Sequence, residues 1–126
     1  MGGFTMIELI MVIVILGILA AVAVPKFTNL SSNARTAALA GVAGGISSGN
    51  STNVSVCAVD PTLTTAGGKC VAVDNCSDGG DLLQGGLPAG YTITAAAVAS
   101  GVTSAACVLT DTTSSATTTF SITGTP

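Results

Sequence analysis

One carboxylate, Glu8, stands near the start of an otherwise apolar run that extends from Phe4 to Val24. At a helical rise of ~1.5 Å per residue, about 20 such residues cover the ~30 Å hydrocarbon core of a bilayer. An acid at the centre of a membrane helix costs about 2.5–3.5 kcal/mol, and less towards an end, unless something pairs with it. The run therefore belongs in lipid or against other apolar protein, and Glu8 belongs with a partner.

Beyond Pro25 the composition turns lean. Ala, Gly, Thr, Ser and Val dominate, and Phe27, Tyr91 and Phe120 are the only aromatics. A small domain of this kind gains little from apolar burial alone and calls for covalent or partner-supplied help. The four cysteines, Cys57, Cys70, Cys76 and Cys107, meet that need and all lie C-terminal to the run. Two disulfides formed in an oxidising compartment are the natural reading, which puts this side of the chain outside the cell or in a periplasm. The only bases are Lys26, Arg35 and Lys69, so no basic stripe follows a nucleic-acid backbone. Histidine, the commonest general base and metal ligand, is absent. The composition speaks against an enzyme, and no cofactor is expected.

Three readings compete for residues 1–25. A cleaved secretory signal has a basic start and an apolar stretch of about 7–15 residues. Here the stretch is too long, no Lys or Arg precedes it, and Glu8 interrupts it. A plain anchor explains the length and leaves Glu8 to snorkel towards the interface. The third reading uses Gly3-Phe4, a small residue before a large apolar one. Cutting after Gly3 creates an α-amino group on Phe4 that is mostly protonated near neutral pH. Glu8 then lies four residues on, one helical turn away, and its charge is matched by its own terminus or a neighbour's. Unmatched charge is expensive in hydrocarbon, so copies dock where the pairing is satisfied. On this reading Glu8 sets register in a polymer.

The run Gly3-Phe4-Thr5-Met6-Ile7-Glu8-Leu9-Ile10-Met11-Val12-Ile13-Val14-Ile15-Leu16-Gly17-Ile18-Leu19-Ala20-Ala21-Val22-Ala23-Val24-Pro25 resembles the start of a type IV prepilin. The resemblance covers residues 3 to about 40, with glycine, aromatic, glutamate and proline all at the family's spacing. It implies that a membrane prepilin peptidase cuts between Gly3 and Phe4 and methylates the new amine of Phe4. It implies that Glu8 pairs with the terminal amine of an adjacent subunit during assembly. It also matches Gly17 and Pro25 to the residues between which the family's helix loses regular hydrogen bonds in the filament. The stretch from Lys26 to Leu39 is similar to mannose-sensitive-haemagglutinin-like or closely related major pilins. One departure stands out: the family's leader carries Lys or Arg, and Met1-Gly2-Gly3 has none. A shortened leader, or a basic one upstream of Met1, is the expectation.

Proline at position 25 removes a backbone donor and crowds the preceding turn, so a kink or local unwinding is expected there. The helix then resumes, with Phe27, Leu30, Ala34, Ala38, Val42 and Gly45 drawing one apolar stripe, and ends between Gly49 and Val56. From Ala58 to Gly90 the chain is loop-like, punctuated by Asp60-Pro61, Gly67-Gly68, Gly79-Gly80, Gly85-Gly86 and Pro88. Strands follow: Tyr91, Ile93 and Ala95 alternate with Thr92 and Thr94, then come Cys107–Thr110 and Thr119–Ile122. The expected fold is α+β, a ladle whose long helix packs its second half on a small antiparallel sheet and is kinked at Gly17–Pro25. Its divisions are a leader remnant at 1–3, a transmembrane and assembly helix at 4–25, an amphipathic helix at 26–56, and loop plus sheet at 57–126. Four cysteines allow three pairings. Cys57–Cys70 with Cys76–Cys107 is favoured, because the first closes a short loop after the helix and the second pins a loop to a strand. Cys70–Cys76 with Cys57–Cys107 stays open.

Asp74, Asp78 and Asp81, interleaved with Gly79 and Gly80, make a weak calcium candidate without the bidentate glutamate of an EF-hand loop. Solvated turn residues explain them as well, so no metal is assigned. Asn50-Ser51-Thr52, Asn53-Val54-Ser55 and Asn75-Cys76-Ser77 match the glycosylation triplet, a match that chance supplies in so Ser/Thr-rich a chain. Four aromatics, Phe4, Phe27, Tyr91 and Phe120, are too few for a conducting stack, since rings beyond ~7 Å do not interact as pairs.

The reading is a major subunit of an extracellular type IV pilus, a homopolymer. It is held in the inner membrane with its globular part in the periplasm before assembly, and the prepilin peptidase and pilus machinery are its partners. Adhesion, motility and DNA uptake are family-level roles among which the sequence does not choose. The rivals are a pseudopilin of a type II secretion system, whose major form binds calcium, and a lone membrane-anchored periplasmic module.

Overall fold

A computed structural model describes residues 2–59 and 69–126. The fold is α+β. One long helix, α1 (Met6–Val59), is followed by a 3-10 helix (Cys76–Gly80) and three strands, β1 (Tyr91–Ile93), β2 (Thr103–Asp111) and β3 (Thr117–Thr123). The described residues form two compact units, Met1–Arg35 and Thr36–Pro126, and only the second has a packed core.

Helix α1 is 54 residues long although glycines at 41, 44, 45 and 49 each weaken a helix by about 1 kcal/mol relative to Ala. Its hydroxyls turn inward on the backbone instead of competing with it. Thr28 donates to the Val24 carbonyl (2.9 Å), Ser51 to Ser47 (3.1 Å), Thr52 to Ser48 (3.2 Å) and Ser55 to Ser51 (3.0 Å). Helical assignment is unbroken through Gly17 and Pro25, with no local unwinding at the proline. The helix runs three residues past the expected limit of Val56.

The buried face of α1 is Leu39, Ala43, Ile46, Asn50, Asn53 and Cys57, at alternating spacings of four and three. This corrects the stripe drawn through Phe27, Leu30, Ala34, Ala38, Val42 and Gly45. Phe27 and Leu30 are 70% and 61% exposed, and Val42 and Gly45 only flank the core. The physical reason is weak contrast: with Ala, Gly and Ser on every side, hydropathy hardly distinguishes one face from another, and two asparagines occupy buried positions.

The sheet is an antiparallel meander in the order β1-β2-β3, with Tyr91 opposite Asp111, Ile93 opposite Leu109 and Cys107 opposite Phe120. A register shift between Ser104 and Cys107 lets β2 extend back to Thr103, beyond the short strand expected from Cys107. Leu109, Phe120 and Ile122 join Leu39, Ala43 and Ile46 in one core, together with Val73, Cys76, Val98 and Cys107. At the β2–β3 turn, Asp111 Oδ1 accepts from the Thr113 and Ser114 amides (2.8 and 3.4 Å), and Ser115 takes a left-handed φ of 58°.

The 3-10 helix is a feature that turn punctuation alone does not reveal. Gly79 is buried inside it, and a Cβ there would come within 3.1 Å of Ile46 Cγ2 and of the Phe120 ring. Hydrogen at Cα is what lets this turn press between α1 and β3. The Asp60-Pro61 and Gly67-Gly68 turns lie outside the described residues. Of the three possible pairings the structure forms Cys57–Cys70 and Cys76–Cys107, with Cα atoms 4.9 and 5.5 Å apart.

A second glycine is equally constrained. Gly124 passes the Ala99–Ser100 backbone so closely that a Cβ would collide with the Ala99 carbonyl. Backbone cannot give way as a flexible side chain can, so Gly124→Ala is expected to cost about 1–3 kcal/mol, the usual toll of overpacking. Thermal unfolding followed by circular dichroism measures it, and an unchanged midpoint contradicts the close approach.

Candidate functional site

In the N-terminal unit, residues 2–5 precede the helix, and the Gly3–Phe4 bond lies in this exposed stretch with the Phe4 residue 93% exposed. Thr5 caps α1. Its Oγ1 accepts from the Glu8 amide (3.3 Å), while Glu8 Oε2 accepts from the Thr5 amide (2.8 Å) and the Thr5 hydroxyl (2.9 Å). This is a reciprocal capping box, in which two amides without helical partners are satisfied by each other's side chains. The carboxylate also sits at the positive end of the helix dipole.

The geometry refines the sequence reading of Glu8. Phe4 lies outside the first turn, so the expected one-turn relation between Phe4 and Glu8 is replaced by a cap contact at Thr5. Thr5 was missed as a functional residue, although the pattern Thr5-Met6-Ile7-Glu8 is the signal for such a box.

Every large apolar side chain from Phe4 to Leu30 is exposed, from 49% at Ile10 to 93% at Phe4. An apolar surface of this extent is far more than a soluble monomer carries and marks contact with lipid or other protein. Phe4, Glu8, Leu9, Met11 and Val12 line one shallow apolar concavity, with the carboxylate its charged group. A Cβ added at Gly17 meets nothing, so this glycine serves no contact within the chain.

The other candidate residues lie in the second unit. Asp78 Oδ2 accepts from the Asp74 and Asn75 amides (3.0 and 2.9 Å), and Asn75 Oδ1 accepts from the amides of Ser77 and Ala96 (3.2 and 3.0 Å). Asp78 thus caps the 3-10 helix with Asn75, and no group of three acids converges among the described residues. Asn50 and Asn53, 6% and 5% exposed, have their amides committed to Thr123 and Val71, which leaves no accessible nitrogen for a glycan.

The comparisons bear on the family. The major component PilA5 of the type IV narrow pilus of Thermus thermophilus is 60% identical over 35 residues, 28% of this chain and 30% of that protein. A fimbrial protein of Moraxella nonliquefaciens is 35% identical over 85 residues, 66% of this chain and 48% of that protein. The findings support a type IV pilin. The pilin and fimbrial names agree with the apolar N-terminal helix and the two disulfides. No protein-family model and no solved structure matches the chain. The chain spans less than half the length of either curated relative it matches.

Proposed function

We propose that this pilin is the major structural subunit of an extracellular type IV pilus and that it has no catalytic role of its own. The observation that carries the reading is the exposed apolar surface from Phe4 to Leu30 with one carboxylate at its N-terminal end. A surface of that kind, on a helix long and apolar enough to cross a membrane, has two compatible environments, a bilayer before assembly and the packed helices of neighbouring copies after it. The names of the relatives, a pilus component and a fimbrial protein, support the same reading.

On this proposal the monomer waits in the inner membrane through residues 4–25, with 26–126 in the periplasm, where its disulfides form. Prepilin peptidase cuts between Gly3 and Phe4 and methylates Phe4. The pilus machinery then transfers the helix from lipid to protein. Glu8 leaves its capping contact with Thr5 to meet the amine of an adjacent Phe4, which fixes the axial register. The segment between Gly17 and Pro25 loosens once packed, because Gly lacks helix propensity and Pro25 lacks a donor. Adhesion, motility and DNA uptake are roles that such a filament serves.

Electron microscopy of filaments sheared from cells, with mass spectrometry of their N-terminus, tests the proposal. Long filaments of this subunit beginning at methylated Phe4 are expected. Secretion defects without filaments point to a pseudopilin instead, and a membrane-bound monomer that retains Gly3 defeats the pilus reading.

A further inference from the structure

Asn53 lies on the buried face of α1 between Asn50, which is tied to Thr123, and Cys57, which is covalently used. An apolar residue there would extend the core. Instead both ends of a buried amide are spent on one residue of another segment. The Val71 amide donates to Asn53 Oδ1 (2.8 Å), and Asn53 Nδ2 donates to the Val71 carbonyl (2.8 Å). This is the pairing that a neighbouring strand would offer Val71, supplied by a side chain. Thr125 Oγ1 donates to the same carbonyl (2.7 Å).

The cysteines lie one step from this clamp on both sides. Cys57 is one helical turn beyond Asn53, with its Sγ 3.6 Å from Asn53 Oδ1 and 3.9 Å from the Val71 oxygen. Cys70 is the residue before Val71. Two ties therefore join the same short segment to the same face of α1, one covalent and one a pair of hydrogen bonds. With Val71 seated on Asn53, the adjacent Cys70 is held close to Cys57, their Cα atoms 4.9 Å apart.

We propose that Asn53 is the positioning residue for the Cys57–Cys70 disulfide: its amide seats Val71 on α1 while both cysteines are still thiols. Oxidation then proceeds by exchange with a low-molecular-mass or protein disulfide. One cysteine thiolate attacks the oxidant and releases one thiol, and the second cysteine displaces the other. Two protein thiols thus lose two protons and two electrons, and one oxidant disulfide becomes two thiols. What Asn53 contributes is effective concentration, by converting the second step into an encounter between groups already held together. The Cys76–Cys107 bond joins residues that make no hydrogen bond to Asn53 or Val71 among the contacts above, and on this proposal it forms without the clamp.

The test uses the full chain in detergent micelles, equilibrated with reduced and oxidised glutathione, quenched with acid and mapped by mass spectrometry after thiol alkylation. Asn53→Leu is expected to lower the effective concentration for Cys57–Cys70 by about tenfold or more and to leave Cys76–Cys107 within about twofold. Asn53→Asp, which retains the acceptor for the Val71 amide, is expected to fall between. An equal loss at both disulfides, or an unchanged Cys57–Cys70 equilibrium, overturns the proposal. A second measurement holds even where Asn53→Leu fails to fold. In the Cys57→Ser/Cys70→Ser protein, hydrogen exchange at the Val71 amide is expected to remain slow, because the clamp precedes the bond. Exchange at the free-chain rate shows that the clamp only follows the disulfide, and sinks the assignment.

Discussion

On the proposed assembly, Glu8→Ala leaves the monomer in the membrane at near-normal abundance and abolishes or severely shortens filaments. The residue is exposed in the isolated chain and supports no core contact, so its loss has little to unfold. In a polymer its position is different. A cationic terminus transferred from water or headgroups into packed apolar helices needs an opposite charge, and the chain offers no other acid before residue 60. Filament yield and length after shearing, normalised to monomer by immunoblot, measure the effect.

The capping box makes a sharper version possible. Gln at this position keeps an oxygen able to accept from the Thr5 amide, and so retains the cap while removing the charge. Glu8→Gln should therefore assemble as poorly as Glu8→Ala. Normal filaments from the Gln variant would mean that Glu8 serves the helix terminus alone, and the register argument would fail.

Replacing both Cys76 and Cys107 by Ser is the second large effect. The bond closes 31 residues of sequence, and chain entropy assigns such a loop about 3–4 kcal/mol. Both residues are only 1% exposed, so the substitution also buries two hydroxyls among Leu109, Phe120 and Ile122. The sum is comparable to the whole margin of a small domain, roughly 5–15 kcal/mol. Denaturant unfolding of the oxidised protein is expected to show a partly or wholly unfolded variant at ambient temperature. The Cys57→Ser/Cys70→Ser protein should lose less, because its loop spans 13 residues and the Asn53–Val71 clamp survives. Equal losses from the two pairs would refute the idea that the clamp shares the load of the outer disulfide.

The α+β class and the order of its elements were legible in the sequence because they rest on strong local signals. Nineteen of the residues from Phe4 to Val24 are neither charged nor hydroxylated, which leaves no doubt about an apolar helix. Tyr91-Thr92-Ile93 alternates with period two, and the Asp, Thr and Ser residues between Leu109 and Phe120 demand a turn. Glu8 announced itself by its cost. Its link to Thr5 is equally local, written in a spacing of three.

What tertiary structure alone decided was which surfaces meet. The face of α1 that enters the core is set by Leu39, Ala43 and Ile46 finding Phe120 and Ile122, contacts across some eighty residues of sequence that no helical periodicity encodes in an Ala/Gly/Ser background. The burial of Asn50 and Asn53 runs against hydropathy and is tolerable because the backbones of Thr123 and Val71 arrive to satisfy them. Gly79 read as a turn residue, yet its role is to leave room between Ile46 and the Phe120 ring. Local sequence specifies what a segment prefers to be. Only the close packing of distant segments specifies where a polar group can be buried and where a side chain has no space.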